Sequence, residues 1–293
     1  MKKLLCAVLM IGAAILVWGD PSCEPQKNTT QSAKSTSKNE SGTVRLSNLK
    51  PMTDGIMQVN DYTYAFNLLP SIDVPETVTN IKYAAFRNNN LTNVAIPENV
   101  INIGGWAFAH NQLKNVSIPQ YVTVIGQGAF SNNQLSQVSL PNHIQAIDIN
   151  TFENNNLTDV TIPAEVASIG ARAFMNNNLS RVSLPARLNY IGSESFANNK
   201  LSCISLPNCV TYIGDYAFKG NNISSVVIPS GVIHLGKYIF HGNPLTSITI
   251  GNNAQIDEWT FGQSFYRYYT GLNRQAGTYK ISGDTWVKIP NGR

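Results

Sequence analysis

Apolar and polar positions repeat along this chain with a fixed period of 22 residues, from residue 75 to residue 250. Each unit reads N-x-L-x-x-V-x-I-P-x-x-V-x-x-I-G-x-x-A-F-x-x, and no insertion interrupts the series. The phenylalanine column shows the period most plainly and consists of Phe86, Phe108, Phe130, Phe152, Phe174, Phe196, Phe218 and Phe240. A repeat of this length is typical of solenoids, so the eight units predict eight stacked coils.

One unit contains the signals of a short strand, a turn and an irregular return. Val116 and Ile118 alternate with a small outward residue, which predicts a strand in the L-x-x-V-x-I segment. Pro119 ends that strand because proline has no N–H to donate to a ladder. Gly126 permits a tight bend. Asn111 precedes the next strand, where a buried amide can bond to backbone groups of the turn.

A single coil cannot bury its apolar face, whereas stacked coils join their Phe, Leu, Val and Ile columns into one core. The sequence therefore predicts a mainly-β repeat solenoid, right-handed, with parallel strands on one face. We interpret the Phe, Pro, Gly and Asn columns as architecture. The variable positions between them are the places to look for function.

Both ends of a solenoid need caps, because an uncovered end coil exposes the core. Residues 48–74 are predicted to form the N-terminal cap, with a hairpin from Ile56 to Phe66. Residues 251–293 are predicted to form an aromatic C-terminal cap, with a second hairpin over 277–289. We expect the aromatic cluster of this cap to cover the last coil rather than to bind a ligand.

The N-terminus has the pattern of a secretory signal peptide over residues 1–22. Two lysines precede an uncharged apolar run over residues 4–18, and Gly19, Asp20 and Pro21 then break it. The run is too short to span a bilayer as a helix, so we predict that the rest of the chain is exported. Residues 23–47 are rich in Ser, Thr, Asn and Lys and are predicted to form a disordered tether.

The cysteines leave two questions open. Cys23 follows the signal peptide: the tether and the cysteine parity favour lipid attachment, whereas Asp20 and Pro21 favour ordinary cleavage and a free secreted protein. With Cys23 acylated, Cys203 and Cys209 remain as an even pair in an oxidising compartment. These two residues lie six apart in variable columns, so they form either a local disulfide or two separate exposed thiols.

The repeated motif resembles the BspA-like leucine-rich repeats of bacterial surface proteins. The runs that carry the resemblance include LTDVTIP at residues 157–163 and IGDYAF at residues 213–218, and it covers about residues 72–262. The resemblance implies a leucine-rich-repeat solenoid on a bacterial surface. It also implies roles in adhesion, in the binding of matrix glycoproteins and in coaggregation.

Charge and motifs argue against nucleic-acid binding and against catalysis. The net charge is only +4 and is scattered, whereas a nucleic-acid footprint needs a clustered basic face. The histidines do not show metal-ligand spacing. The strand-face columns carry only Asp159 and Arg181 as charges, which we expect to pair, and a polysaccharide-acting enzyme would need clustered carboxylates. We therefore predict a protein that is not an enzyme, with no catalytic residues, no metal and no cofactor.

One deviation from the repeat predicts a binding surface. The 22-residue register places Tyr190, Tyr212 and His234 on three successive coils, and a column four residues later holds Tyr216 and Tyr238. Tyrosine contributes strongly to interface energetics, and rings on neighbouring coils form a continuous patch that suits a protein segment or a glycan. The alternative is that the stacked tyrosines only stabilise neighbouring turns.

Together these patterns predict an exported, surface-attached protein for binding or adhesion. Its partner is a protein or a glycan, from the host extracellular matrix or from another bacterial cell, and no nucleic acid is involved. With Cys23 acylated it is a lipoprotein of the cell surface or outer membrane, which contacts the membrane only through that anchor; otherwise it is secreted. The alternative function is structural, through self-association, and a polysaccharide-acting enzyme is the remote one.

Overall fold

The structure is a computed structural model that describes residues 58–252 and 254–290, together with the strand residues 37–38 and 44–45. The signal peptide, Cys23 and most of the tether lie outside the described residues, so what the sequence predicts for them stays a prediction. The described chain is a mainly-β parallel solenoid of about nine turns, with a spacing of about 22 residues. The predicted solenoid of stacked 22-residue coils is confirmed.

Most strands are two residues long and pair in parallel with the equivalent strands of neighbouring coils. Each straight segment stays short because the chain turns repeatedly within every coil. In chain order, the elements of the described residues are β1 (Ser37–Lys38), β2 (Val44–Arg45), β3 (Gln58–Val59), β4 (Ile72–Asp73), β5 (Asn80–Ile81), β6 (Asn102–Ile103), β7 (Val124–Ile125), β8 (Ala146–Ile147), β9 (Ser168–Ile169), β10 (Tyr190–Ile191), β11 (Tyr212–Ile213), β12 (Ser225–Val227), β13 (His234–Leu235), β14 (Ser247–Ile250), α1 (Gln263–Gly271), β15 (Gly277–Ser282) and β16 (Thr285–Ile289).

Two parallel ladders run along the solenoid, whereas the sequence predicted one. The first is the predicted L-x-x-V-x-I segment, in which isolated bridges join in turn Asp73, Ala95, Ser117 and Ser139. The second consists of the two-residue strands before the glycine column, such as β10 and β11. The sequence predicts a turn in this second segment, because only its isoleucine stands out as apolar. In the structure that isoleucine is buried and the residue before it points outward, as the alternation of a strand requires.

The N-terminal hairpin that we predicted over Ile56 to Phe66 is wrong. β3 pairs in parallel with β5, and residues 61–66 form a turn. Their N–H groups donate to the next coil, for example Tyr64 N to Ala85 O at 2.8 Å. These residues are therefore the first coil of the solenoid, in which Tyr64 takes the place of the repeated Phe. An antiparallel pair lies further upstream, between β1 and β2, and β2 pairs in parallel with β4.

The core is a continuous stack of aromatic rings flanked by aliphatic columns. Every Phe of the repeat is buried, and the centroids of successive Phe rings lie 5.3 to 5.8 Å apart. Tyr64 extends the stack at one end, 5.7 Å from Phe86, and Phe261 extends it at the other, 6.0 Å from Phe240. Because each ring packs against both neighbouring coils, no coil has a complete core of its own.

The buried asparagine column joins neighbouring coils, as the sequence predicted. The Asn111 side chain accepts a hydrogen bond from Leu91 N at 3.1 Å and donates to Phe86 O and Phe108 O, both at 3.0 Å. The same three bonds recur in the following coils at Asn133, Asn155, Asn177, Asn199 and Asn221. One amide therefore satisfies three backbone groups drawn from two coils.

Glycine is needed where the second ladder packs against the preceding coil. A Cβ on Gly192 would lie 2.5 Å from Ala171 N, which is too close for any side chain. Asp148 occupies this column in one coil, and there the ladder is interrupted, since β7 and β8 belong to different sheets. Lys82 is tolerated in the same column beside the first coil, with its N–H bonded to Val59 O at 2.9 Å.

The C-terminal hairpin is confirmed, and a helix that we did not predict lies beside it. β14 pairs antiparallel with β15, and β15 with β16, so the hairpin covers the last strand of the first ladder. Phe265 and Tyr269 of α1 are buried together with Tyr279 and Trp286 of the hairpin. These aromatic residues close the end of the core. Among the described residues, α1 is too short and too polar to cross a membrane.

Candidate binding surface

Tyr190, Tyr212 and His234, which the sequence predicted to align, form one column of stacked rings on the outside of the solenoid. They lie in β10, β11 and β13, opposite one another in the second ladder. The ring centroids are 4.6 Å apart between Tyr190 and Tyr212 and 4.3 Å apart between Tyr212 and His234. Parallel strands are spaced by about 4.8 Å, so equal positions on successive coils place flat rings at stacking distance.

Tyr216 and Tyr238 form a second column, four residues further along each coil. Their ring centroids are 5.2 Å apart, with an interplanar angle of 12°. Trp259 continues this column at 5.5 Å from Tyr238. Trp259 falls outside the 22-residue register because the period shortens by one residue at the last coil. We call these six residues the aromatic surface: Tyr190, Tyr212, His234, Tyr216, Tyr238 and Trp259.

The tyrosines of the second column have positive φ angles, in the left-handed region of backbone conformation. Tyr216 has a φ of 57° and Tyr238 a φ of 55°, and Gly128 and Asn150 adopt the same conformation at equivalent positions of earlier coils. The geometry therefore belongs to the repeat, and Gly or Asn adopts it most easily. A tyrosine there costs roughly 1 kcal/mol. Arg172 and Glu194 adopt the same conformation in the two preceding coils, so this strain is common to the column.

The rings of the aromatic surface border charged groups. Burial by its neighbours raises the pKa of Tyr212 above its ordinary value, and Tyr190 and Asp215 raise it further, so this phenol stays protonated at neutral pH. Lys219 Nζ lies 5.2 Å from the centroid of the Tyr216 ring, within cation–π distance. The surface thus combines apolar rings with hydroxyl groups that both donate and accept hydrogen bonds.

A polar cluster lies in the column of Tyr216, on the two preceding coils, and the repeat pattern does not reveal it. Arg172 and Glu194 form an ion pair across the two coils that carry Ser168 and Tyr190. Burial raises the pKa of nearby Glu153 above its usual value, Arg172 opposes that shift, and Glu194 adds to it. Because Glu194 neutralises Arg172, the cluster has no excess positive charge.

Other aromatic residues lie apart from this surface. Trp106 shares the column of Tyr216 five coils earlier, where it packs over Gly128, and the Arg87 guanidinium lies 5.3 Å from its ring centroid. Tyr121 is 70% exposed and has no ring contact in the described part of the chain. Tyr121 is therefore a matched control for experiments on the aromatic surface.

The repeat matches a known family over most of the chain. The family model of the BspA type leucine rich repeat region matches residues 57–180 and 145–266, with six copies of the repeat. The chain belongs to the BspA-type leucine-rich-repeat family. The resemblance seen in the sequence is confirmed. No curated protein matches the chain.

Two solved structures are similar to this BspA-type protein. A leucine-rich repeat protein from Bacteroides ovatus ATCC 8483 is 22% identical, with a TM-score of 0.56 over 74% of this chain and 69% of that one. The pneumococcal vaccine antigen PcpA is 21% identical, with a TM-score of 0.48 over 70% of this chain and 65% of that one. At 22% identity, the likeness to the Bacteroides ovatus protein shows the fold alone. Membership of the BspA-type family supports a protein-interaction or surface role.

A shallow groove of about 510 Å3 lies along the first ladder of the BspA-type solenoid, at a different place from the aromatic surface. Its lining is mostly polar and includes Asn115, Ser117, Gln137, Ser139 and Thr161, without an aromatic side chain. Tyr and Trp contribute more to binding than Ser and Thr do. The aromatic surface is therefore the stronger candidate.

The local disulfide that we considered for this BspA-type protein is wrong. Cys203 and Cys209 are exposed and form no disulfide within the described residues. The alternative interpretation, two separate thiols, agrees with the structure.

The surface pair that we expected between Asp159 and Arg181 is also wrong. In the described part of the BspA-type solenoid, the ion pairs join Arg172 to Glu194 and, in a separate place, Arg187 to Glu165. Asp159 accepts a hydrogen bond from Thr158 Oγ1 at 3.2 Å instead. Between residues 58 and 290, with residue 253 left aside, no three His, Cys, Asp or Glu side chains are arranged to hold a metal ion.

Proposed function

We propose that this protein is an exported binding protein that attaches to a protein or glycan ligand through the aromatic surface. The observation that carries the proposal is the outward column of Tyr190, Tyr212 and His234, whose rings stack at 4.6 and 4.3 Å. The protein-interaction or surface role of the BspA-type family supports it.

The aromatic surface suits binding because its rings are held in place before a ligand arrives. Each ring of the first column is flanked in sequence by a buried residue of the core, namely Ile191, Ile213 and Leu235. Neighbouring rings restrict each other further by stacking. A ligand that binds to such a surface orders few side chains, so little of the binding energy is lost to entropy.

Cohesion between coils does not require the outer rings. Asn102, Val124 and Ser168 occupy the column of Tyr190 in other coils, and β6 still pairs with β7 and β8 with β9. The buried Phe and Asn columns run through all of these coils and hold them together. This argues that the outer tyrosines serve binding more than stability.

We further propose export through residues 1–22 and attachment to the cell surface by a lipid on Cys23. The two N-terminal lysines and the apolar run over residues 4–18 support export. Mass spectrometry of the mature N-terminal peptide tests this proposal. A diacylglycerol-modified Cys23 is the expected result, and an unmodified N-terminus upstream of Cys23 would show a secreted protein instead.

The binding proposal is tested with the purified full chain, on a panel of host matrix glycoproteins and glycans. The test variant carries Tyr190→Ala, Tyr212→Ala, Tyr216→Ala and Tyr238→Ala. Its matched control is Tyr121→Ala, which removes an exposed tyrosine outside the aromatic surface. We expect saturable binding that the control retains and that the test variant weakens by more than about tenfold.

Circular dichroism and thermal unfolding establish that each variant folds. Binding that survives in the quadruple variant would contradict a role for the aromatic surface. An absence of binding across the panel, together with concentration-dependent association in sedimentation, would replace the proposal with self-association of the solenoid.

A further inference from the structure

The ring of Tyr190 is the first of its column, and one of its faces is open. Tyr212 stacks on the face turned toward the next coil, at 4.6 Å. On the other side, the ladder partner of Tyr190 is Ser168, and the partner of Ser168 is Ala146. Tyr190 is 38% exposed. The column therefore ends at Tyr190. We call the space beside the open face of this ring, over the Ser168 hydroxyl and the Ala146 methyl group, the step.

This step has the depth of one ring. Neighbouring coils lie about 4.8 Å apart, and rings in contact prefer centroid separations of about 4.5 to 7 Å. A ring placed over Ser168 would thus contact Tyr190 as Tyr212 does from the opposite side. Ser168 and Ala146 are both too small to fill that volume themselves.

Polar groups line the same two coils. Arg172 follows Ser168 by four residues and Glu194 follows Tyr190 by four, and the two side chains form an ion pair. Asn189, next to Tyr190, is exposed. Guanidinium, carboxylate and amide groups on these two coils together offer donors and acceptors to a ligand. With Arg172 neutralised by Glu194, and Glu153 close to both, the step does not favour an anion.

We propose that a neutral hexopyranose unit of a glycan stacks on the open face of Tyr190, over Ser168, with its hydroxyl groups bonded to the pair Arg172–Glu194. This inference rests on the proposed binding function and names the class of its ligand. A pyranose ring has a flat face of C–H groups, which suits the electron-rich face of a phenol. Its equatorial hydroxyls suit the neighbouring donors and acceptors. An aromatic peptide side chain would contact the ring face without bonding to the ion pair. An acidic sugar would be repelled by the carboxylates of Glu153 and Glu194.

The test uses a substitution that adds a ring and removes no residue of the aromatic surface. In Ser168→Tyr the new phenol stacks on Tyr190 and occupies the step. It moves the open ring face one coil upstream, over Ala146, where the equivalent polar residues are Asn150 and Arg172 instead of the pair Arg172–Glu194. Asn102→Tyr is the matched control, because it adds a tyrosine to the same column three coils upstream. Thermal unfolding shows that both variants fold. Both variants add a tyrosine to the same column, but only the new ring of Ser168→Tyr is a ladder neighbour of Tyr190.

The probes are tetrasaccharides of glucose, galactose, mannose and N-acetylglucosamine, an acidic tetragalacturonate and a tyrosine-containing tetrapeptide. Calorimetry with the full chain gives the affinity, and saturation-transfer NMR shows which ligand protons contact the protein. We expect at least one neutral tetrasaccharide to bind with a Kd on the order of 1 mM, through the C–H face of one ring. Its affinity falls at least tenfold in Ser168→Tyr and stays unchanged in Asn102→Tyr.

Four results would overturn the inference. The first three are no binding by any neutral tetrasaccharide, binding by the acidic or peptide probe alone, and equal loss in both tyrosine variants. A neutral sugar that binds Ser168→Tyr as tightly as the wild type would also overturn it. In that case the proposed function would still hold if the quadruple alanine variant lost binding. The ligand would then contact the outer edges of the rings and not the open face of Tyr190.

Discussion

The side-chain amide of Asn155 donates a hydrogen bond to Phe130 O in the preceding coil, at 3.0 Å. The same side chain donates to Phe152 O at 3.2 Å and accepts from Leu135 N at 3.0 Å. Three backbone groups in a region without access to water thus depend on one residue. The recurrence of this arrangement along the solenoid explains why asparagine is periodic in the chain.

Replacing Asn155 with alanine is expected to lower the free energy of unfolding by about 3 kcal/mol, because buried backbone groups lose their partners. Urea denaturation followed by circular dichroism measures the effect. Asn156→Ala is the control: Asn156 is exposed, and its substitution should change stability by less than about 0.5 kcal/mol. Equal effects of the two substitutions would show that the amide bonds contribute little.

Gly192→Ala is expected to destabilise the solenoid by about 2 kcal/mol, because its Cβ would lie 2.5 Å from Ala171 N and the backbone must shift. Gly271, at the end of α1, has no atom within 4 Å of such a Cβ. Gly271→Ala should therefore leave the melting temperature unchanged or raise it slightly. A melting temperature of Gly192→Ala equal to that of the wild type contradicts the close approach of the coils.

Asp148→Gly is expected to restore the interrupted ladder. In neighbouring coils the N–H of the glycine column bonds to the preceding coil, Gly126 N to Ile103 O at 2.8 Å and Gly170 N to Ile147 O at 2.7 Å. Hydrogen exchange measured by NMR should show the amide at position 148 becoming as protected as those of Gly126 and Gly170. Asp159→Gly, a control in the first ladder, should leave this amide unaffected. Unchanged exchange in Asp148→Gly would mean that the aspartate is not what opens the ladder.

Alkaline pH is expected to weaken the C-terminal cap through Tyr279. Burial raises the pKa of Tyr279 from 10.0 to about 12, with Tyr269 and Tyr268 adding to the shift. Because the pKa is higher in the folded state, the stabilisation is complete below pH 10 and is lost as the pH rises from 10 toward 12. Denaturation at several pH values should show this decline, and a smaller one in Tyr279→Phe. Identical pH profiles for the two proteins would rule out Tyr279 as the source.

Cys203 and Cys209 are expected to react with a thiol reagent in the folded protein, since both are exposed. Peptide mapping after alkylation without a reductant measures the modification at each position. Both sites should be labelled to the same extent with and without prior reduction. A labelled fraction that rises only after reduction would show a disulfide in place of the two thiols.

The repeat carried enough information to predict much of the architecture. The 22-residue columns predicted the stacked coils, the buried Phe and Asn positions and the alignment of Tyr190 with Tyr212 and His234. Periodicity is reliable for this purpose because each coil must present the same residue to its neighbour. The family resemblance rested on the same columns.

Prediction failed where the outcome depended on a neighbouring coil. Residues around Tyr64 have the alternation of a hairpin strand, but they bond to Ala85 and its neighbours in the next coil. The second ladder was hidden because a two-residue strand carries almost no local signal. Trp259 lies next to Tyr238 although the last period is one residue short, because the path of the last coil makes up the difference.

By itself, the sequence determined which residues lie inside the solenoid and which columns face outward, because burial follows the period of the repeat. Only the tertiary structure decided how outward residues of different coils meet. The pairing of Arg172 with Glu194, the separation of Cys203 from Cys209 and the open face of Tyr190 depend on the path of the backbone between them. The physical reason is that burial is a property of each column, whereas a contact depends on the distance and direction between two side chains.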